Sequence, residues 1–257
     1  MRIGLVLIAV LGIAALALMP AVGKASETTG RVPVLVELFT SEGCSSCPPA
    51  DKILQELDRQ LIPGAEMVVL SEHVDYWDHI GWKDPYSARF YSDRQSIYAH
   101  RFHLDGPYTP QMVVNGSDEF LGSDLERAGK VFAQALETQE IVVRLSSISI
   151  DAGNTLHAHV ETGAVPSEAD VMVAVALNHA ESRVLRGENG GRTLTHTAVV
   201  RAMEKIGTAQ RGQVFAHDLQ VKLEPGSTRD NLRVIAFVQE AKQGKVLGAT
   251  MERAPEK

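Results

Sequence analysis

The feature that most constrains this chain is a pair of cysteines at the junction between a predicted strand and a predicted helix. Residues 34–39 form an apolar run rich in β-forming side chains, and apolar residues at helical spacing follow from Ile53 onward. Cys44 and Cys47 lie between the two segments, and they are the only cysteines among the 257 residues. A Cys-x-x-Cys pair in this position is typical of a dithiol site, in which the two sulfurs can bond to each other.

The start of a helix is a favourable position for a reactive sulfur. Its free N–H groups and partial positive charge favour a thiolate over a thiol. Pro48 and Pro49 suit the first helical turn, where a missing N–H costs little. No Lys, Arg or His lies between the cysteines, and the acidic Glu42 is nearby. We therefore expect activation to depend on the helix terminus and on the hydroxyl groups of Ser45 and Ser46.

The residues alone leave four interpretations of the cysteine pair open. It could be a structural disulfide, although so short a loop restricts few unfolded conformations. It could bind copper(I) or zinc, with His73 as a third ligand, or the protein could only bind a partner, without chemistry. The interpretation we favour is thiol–disulfide exchange, in which Cys44, the better solvated sulfur, attacks and Cys47 resolves the mixed disulfide.

The first 25 residues have the pattern of a secretory signal peptide. Arg2 precedes an apolar run over residues 3–19, and the small residues Gly23 and Ala25 provide a cleavage site. We expect cleavage after Ala25 and a periplasmic or secreted protein, in a compartment where disulfides persist. The alternative is an uncleaved anchor, because the run approaches the length that spans a bilayer.

Composition limits the expected partners. The chain has 25 basic and 32 acidic residues, a net charge of −7, and no block of Lys or Arg. This balance argues against a nucleic acid or an anionic membrane surface as a partner. After signal cleavage we expect no stable membrane insertion, because no other segment is apolar enough. The expected partners are the thiols or disulfides of exported proteins, and the exchange needs no cofactor.

A second strand follows the first helix. Residues 67–70 predict this strand, and a strand–helix–strand unit of this length implies a parallel pair. Because parallel strands end at the same edge of a sheet, His73 and Trp77 should lie near the cysteines. Both are candidate substrate-binding residues, and the alternatives are a histidine bonded to backbone groups and a tryptophan in the core. Asp84 and Pro85 predict the start of another helix.

The order of these segments resembles the thioredoxin-like fold between about residues 31 and 138. The motifs at residues 36–51, 73–78 and 108–111 are similar to those of secreted bacterial thioredoxin-like proteins in a family of unknown function. The resemblance implies that Pro110 follows a cis peptide bond and lies opposite the dithiol. It also implies that the peptide edge at Thr109 pairs with the substrate backbone.

Glu37 is a carboxylate in the middle of an apolar strand. It shares a strand face with Leu35 and Phe39, which places it inside the sheet. One interpretation is a proton acceptor for the second sulfur, and so a catalytic residue. The other is a structural glutamate held by hydrogen bonds or an ion pair.

The pattern changes beyond residue 140 to short alternating segments separated by turns. Several short strands of this kind predict an antiparallel β-sandwich. We therefore predict an α/β thioredoxin-like domain over residues 26–139 and a β-sandwich-like domain over residues 140–257. The second unit contains no cysteine. Arg192 and His196 form a polar cluster there, which we interpret as a turn with a salt bridge and without chemistry.

Overall fold

The structure is a computed structural model that describes residues 30–59, 62–138, 141–224 and 227–254. The predicted signal peptide, residues 1–25, lies outside these ranges. Within them, no helix has both the length and the apolar character needed to cross a membrane.

The first half of the chain alternates strands and helices around the cysteine pair. Its elements are β1 (Val32–Thr40), α1 (Pro48–Arg59), β2 (Ala65–His73), α2 (Arg89–Arg101), β3 (Gln111–Val114), β4 (Asp118–Leu121) and α3 (Leu125–Ala135). The predicted order of strand, dithiol, helix and strand is confirmed. The predicted helix start at Asp84 is wrong. The Asp84 carboxylate accepts the N–H groups of Glu42 and Tyr86, but the Asp84 carbonyl accepts the N–H of Ser87 at 3.2 Å, which closes a turn. Residues 84–87 form a turn instead, and α2 begins at Arg89.

The second half consists of strands joined by turns. They are β5 (Val143–Ile150), β6 (Thr155–Thr162), β7 (Ala169–Arg183), β8 (Thr193–Ala209), β9 (Phe215–Lys222), β10 (Leu232–Glu240) and β11 (Val246–Arg253). The predicted strands are therefore present, and β7 and β8 form a hairpin much longer than the sequence pattern indicates.

The strands form one large and one small sheet. The eight-stranded sheet has the order β11-β10-β7-β8-β2-β1-β3-β4, and β5-β6-β9 form a three-stranded sheet. β1 is parallel to β2 and antiparallel to β3. β8 joins beside β2 through the pair of Ser71 and Val199. The mixed α/β class is thus confirmed, but four strands of the second half extend the sheet of the first half.

Three apolar clusters hold these layers together. α1 and α3 pack on the face of β1 that carries Val36 and Leu38. α2 packs on the opposite face, which carries Leu35 and Phe39. The third cluster lies between the three-stranded sheet and the strands β7 and β10. The alternation along β1 follows from the two-residue period of a strand, and it fixes the face on which each polar residue lies.

Candidate dithiol site

The cysteine pair lies in the turn between β1 and α1. Cys44 and Cys47 form a disulfide with their Cα atoms 5.5 Å apart. α1 begins at the next residue, Pro48, and the N–H of Ala50 donates to the Cys47 carbonyl at 2.9 Å. The sulfur of Cys44 lies 3.3 Å from the hydroxyl of Ser46. The local sequence pattern therefore places the pair correctly at the start of the helix.

Both sulfur-bearing residues are buried in this oxidised form. Cys44 and Cys47 each have 0% of their surface exposed, whereas Ser45 and Ser46 between them are exposed. The prediction that Cys44 is the better solvated cysteine is therefore wrong for the disulfide form. The burial of Cys44 results from the tertiary structure, because residues far away in the sequence hold the turn.

The loop between β7 and β8 supplies these distant contacts. The side-chain amide of Asn189 donates to the carbonyls of Glu42 and Cys44, at 2.9 Å each. The carboxylate of Glu188 accepts the N–H of Ser45 at 3.0 Å. Hydrogen bonds from the Ser45 side chain and then from its N–H lower the pKa of that carboxyl. The guanidinium of Arg192 donates to the Asn189 side-chain oxygen at 2.7 Å. The second half of the chain thus fixes the backbone of the dithiol loop.

Thr109 and Pro110 lie beside the dithiol loop, joined to it by Trp77. The Thr109–Pro110 peptide bond is cis, as the resemblance implies. The indole N–H of Trp77 donates to the Thr109 hydroxyl at 2.8 Å. Trp77 also packs closely against the dithiol loop. A Cβ atom added to Gly43 would lie only 3.1 Å from the Cβ of Trp77. Substrate binding by Thr109 and Trp77 stays a prediction.

Behind the dithiol loop, the structure brings together five buried ionisable side chains, which we name the histidine cluster. Nδ1 of His73 lies 2.7 Å from a carboxylate oxygen of Asp84. The His73 ring is 4.7 Å from the ring of His196, measured between centroids. Nε2 of His196 lies 3.4 Å from a Glu42 oxygen, and its Nδ1 lies 3.8 Å from an Asp51 oxygen. His196 comes from β8, in the second half of the chain.

Charge within the histidine cluster shifts two pKa values. Burial alone would lower the pKa of His196, but the carboxylates of Asp51 and Glu42 more than offset it and raise the value to about 10. These contacts favour the imidazolium form of His196. Burial alone would raise the pKa of Asp84, but His73 and two backbone N–H groups hold it below its usual value.

His196 and Asn189 are the residues that the sequence analysis missed. The sequence pattern predicts a salt-bridged turn at His196, whereas the residue is buried and lies against the dithiol loop. One signal was present: Leu194, His196 and Ala198 alternate along β8, and this face is buried. A histidine in such an alternation indicates burial, but nothing in the pattern names its partners. No local signal marks Asn189.

Glu37 lies on the α2 side of the sheet, whereas α1 packs on the other side. Its carboxylate accepts hydrogen bonds from Nε of Arg94 and from the Tyr98 hydroxyl, both at 2.6 Å. Glu37 and Tyr98 are fully buried and Arg94 is nearly so. These contacts correspond to the ion-paired interpretation of Glu37, and its role as a proton acceptor stays a prediction.

A second carboxylate, that of Glu72, is buried beside Arg94. One of its oxygens lies 3.7 Å from Nε of Arg94. Burial, and next the negative charge of Glu37, raises the pKa of Glu72 well above its usual value. A carboxyl with a raised pKa contributes stability that is complete below its unfolded pKa and is lost as the pH rises through its folded pKa.

We therefore expect Glu72→Gln to make the protein more stable than the wild type at high pH, with an advantage that grows as the pH rises. The glutamine keeps the shape of the neutral carboxyl and cannot ionise. The measurement is the urea midpoint from pH 4 to pH 9. Glu252→Gln, at a half-exposed strand end, is the control and should show a much weaker trend. A constant difference between Glu72→Gln and wild type would contradict the expectation.

The metal interpretation concerned Cys44, Cys47 and His73. The two sulfurs are bonded to each other, and His73 is bonded to Asp84. Across the described ranges, no group of three or more His, Cys, Asp or Glu side chains is arranged to hold a metal ion.

Comparison with known proteins places the chain in a family. The model of the DUF1223 proteins of unknown function matches residues 35–239. The chain belongs to the DUF1223 family. This match takes in the dithiol loop and, from the second half, both Asn189 and His196. It agrees with the resemblance to a family of unknown function that the sequence motifs indicate.

Two solved structures are similar to this DUF1223 protein. A protein of Agrobacterium tumefaciens, known from its X-ray crystal structure, is 28% identical with a TM-score of 0.67, and the match covers 88% of this chain and 96% of that one. HBP35 of Porphyromonas gingivalis is 17% identical with a TM-score of 0.64, and the match covers 88% of this chain and 79% of that one. The second likeness shows the fold alone. No curated protein matches the chain.

Proposed function

We propose that this protein is a thiol–disulfide oxidoreductase that acts on exported proteins through Cys44 and Cys47. The observation that carries the proposal is the bonded pair at the start of α1, formed by the only two cysteines of the chain. A helix terminus favours the thiolate that exchange requires. A short loop gives such a bond little structural value, which favours chemistry over stabilisation.

We further infer that the first half is a thioredoxin-like unit. Its element order and the cis bond before Pro110 support this inference. In this arrangement, the peptide edge at Thr109 pairs with the backbone of the substrate. Trp77 forms the neighbouring wall of the substrate site, whereas His73 is fully buried behind the dithiol loop. The second half supplies the loop that holds the dithiol turn.

Exchange proceeds in two steps that conserve atoms and electrons. The Cys44 thiolate attacks one sulfur of a substrate disulfide, forms a mixed disulfide and releases the other substrate sulfur as a thiolate. Cys47 then loses its proton to solvent and attacks the Cys44 sulfur, which closes the Cys44–Cys47 bond and releases the second substrate thiolate. Two electrons pass from the protein to the substrate, and the reverse sequence oxidises a substrate dithiol.

Burial of both cysteines adds one requirement to this sequence. A partner sulfur must approach in line with the bond that breaks, so the dithiol turn has to move out of its buried position. The exposed Ser45 and Ser46 are the part of the turn that a partner meets first. The contacts of Glu188 and Asn189 with the turn are those that must lengthen when it moves.

The proposed location outside the cytoplasm follows from residues 1–25, which lie outside the described ranges. Their basic start, apolar centre and small residues at the end are typical of a cleaved export signal. An exported dithiol would work in a compartment where disulfides persist. Intact-mass measurement of the secreted or periplasmic protein, with Ser26 at its N-terminus, tests this location.

The exchange mechanism is tested by replacing each cysteine in turn. Purified Cys47→Ser protein should form a stable adduct with oxidised glutathione, because Cys44 can attack and no second thiol can release the adduct. Cys44→Ser should form far less adduct under the same conditions. The measurement is intact mass against time, and the double variant is the control for adducts at other groups.

In an exported-protein extract, Cys47→Ser should also accumulate disulfide-linked partners that a reductant releases. Equal alkylation rates for the two single variants, together with no adduct on Cys47→Ser, would rule out the exchange mechanism. A structural disulfide predicts no adduct with either variant and only a small loss of stability.

A further inference from the structure

The histidine cluster holds the ring of His196 between two buried carboxylates, those of Glu42 and Asp51. The side chain of His196 is 1% exposed, and those of Glu42 and Asp51 are 0% and 6% exposed. A histidine buried for structural reasons has its ring nitrogens hydrogen-bonded. Among the described residues, neither ring nitrogen of His196 has a hydrogen-bond partner, and one oxygen of Glu42 also has none. Nε2 of the ring lies 3.4 Å from an oxygen of Glu42, and Nδ1 lies 3.8 Å from an oxygen of Asp51, which are ion-pair distances.

His196 lies close to the dithiol turn, because both carboxylates that it contacts are near the cysteines in the sequence. Glu42 precedes Cys44 by two residues in the dithiol turn. Asp51 follows Cys47 by one helical turn, and its N–H donates to the Cys47 carbonyl at 3.1 Å. The ring of His196 touches both carboxylates, so it lies beneath the loop that carries the sulfurs. In a buried site, charges separated by several ångströms interact far more strongly than they do in water.

The other groups that face His196 do not cancel its charge. The ring of His73 lies 4.7 Å away, and that of Tyr86 lies 6.0 Å away. Asp84 is bonded to the far side of His73. The carboxylates of Glu42 and Asp51 are the anions in direct contact with the ring. Glu42 also accepts the indole N–H of Trp82 at 2.7 Å, and Asp51 accepts the hydroxyl of Thr40 at 2.9 Å. These donors carry no charge, so without His196 neither carboxylate would have a cationic partner among the described residues.

We propose that His196 is a positioning residue for thiol–disulfide exchange: its positive charge offsets Glu42 and Asp51 and so stabilises the thiolate form of the dithiol. The inference rests on the proposed function and adds to it a residue from the second half of the chain. The dithiol turn itself contains no cationic side chain. β8 therefore supplies, across about 150 residues of sequence, the cation that the motif lacks.

The test uses opposite charge changes on two touching residues. His196→Gln removes the positive charge, so the pKa of the more acidic thiol should rise by about one unit and its thiolate should become about tenfold rarer near neutral pH. The disulfide should then become about tenfold harder to reduce in a glutathione buffer, which corresponds to about 30 mV. Glu42→Gln removes a negative charge and should shift both quantities in the opposite direction.

The double variant His196→Gln/Glu42→Gln should return close to the wild-type values, because it removes one positive and one negative charge and so keeps the net charge of the cluster. The readouts are the pH dependence of the alkylation rate and the fraction of disulfide in glutathione buffers. His157→Gln is the control, because His157 lies on the exposed surface of β6 beside Asp151. It should change neither quantity.

The outcomes separate the two proposals. If the thiol pKa shifts in the same direction in both single variants, or shifts in neither, the role of His196 is overturned. Exchange by the wild-type protein would still support the proposed function in that case. A wild-type disulfide that glutathione does not reduce, with no adduct on Cys47→Ser, would overturn both. Should His196→Gln fail to fold, His196→Asn takes its place: a higher thiol pKa supports the proposal, and an unchanged or lower one overturns it.

Discussion

Replacing Arg94 with methionine is expected to lower the free energy of unfolding by about 3–5 kcal/mol, the usual cost of removing one partner from a buried ion pair. Arg94 is 3% exposed, and its guanidinium binds Glu37 and lies 3.7 Å from Glu72, two carboxylates that are fully buried. Methionine keeps the apolar stem of the side chain and removes the charge together with the hydrogen bonds to Glu37, Tyr98 and Gln239. The two carboxylates would then face each other without compensation.

The measurement is the urea midpoint of Arg94→Met at pH 5 and pH 8. The loss should be larger at pH 8, because the raised pKa of Glu72 favours its neutral form at the lower pH, where it adds less unpaired charge. Arg89→Met is the matched control: it lies on the same helix, and its ion pair with Asp93 is exposed, so stability should hardly change. Equal effects of the two substitutions would show that Arg94 is not the anchor of this site. Replacing Glu37 with leucine in the Arg94→Met background should recover part of the loss.

Asp58→Asn is expected to cost about 3 kcal/mol, because it leaves Arg233 charged and buried without its partner. Both oxygens of Asp58 bind the Arg233 guanidinium, at 2.5 and 2.9 Å, and Arg233 is 1% exposed. The Thr197 hydroxyl also donates to this carboxylate at 2.7 Å. The three residues join α1 to β8 and β10. The substitution therefore weakens a contact between the two halves of the chain.

The pH dependence of Asp58 has a definite sign. Burial alone would raise its pKa, but hydrogen bonds and charge from Arg233 lower it below the usual value. A carboxyl with a lowered pKa contributes stability above its unfolded pKa and loses that contribution as the pH falls through its folded pKa. The difference between wild type and Asp58→Asn should therefore shrink in acid.

The measurement is the urea midpoint of wild type and Asp58→Asn between pH 2 and pH 7. Glu126→Gln, which removes the exposed i,i+4 pair with Lys130, is the control and should have little effect at any pH. A difference for Asp58→Asn that is no larger than the control would mean that the buried pair contributes nothing to stability. One cooperative transition in both proteins would show that α1 and β10 unfold together.

Local features of the dithiol region could be predicted from sequence because neighbouring residues encode them. The apolar run of β1, the prolines at the start of α1 and the spacing of the cysteines act within a few residues of one another. The same holds for α3, where the side chain of Asp124 caps the helix by accepting the N–H of Arg127 at 2.9 Å. Such short-range interactions form independently of contacts with the rest of the chain.

Tertiary contacts overrode local signals at two places. The proline-containing turn at Asp84 has the pattern of a helix start, but its carboxylate is used by His73 and by the backbone of Glu42. The polarity around Cys44 indicates an exposed turn, but the loop carrying Asn189 covers and holds it. In both cases a distant partner offered hydrogen bonds in a buried site, where they outweigh a local preference.

The sequence by itself determined the order of strands and helices and the place of the dithiol at the start of α1. It also indicated, through the resemblance, the cis bond before Pro110. Only the tertiary structure decided that β8 pairs with β2 and that His196 lies against the dithiol loop. The physical reason is the range of the interactions: periodicity and capping act over a few residues, whereas sheet pairing and buried charge contacts join segments more than 120 residues apart.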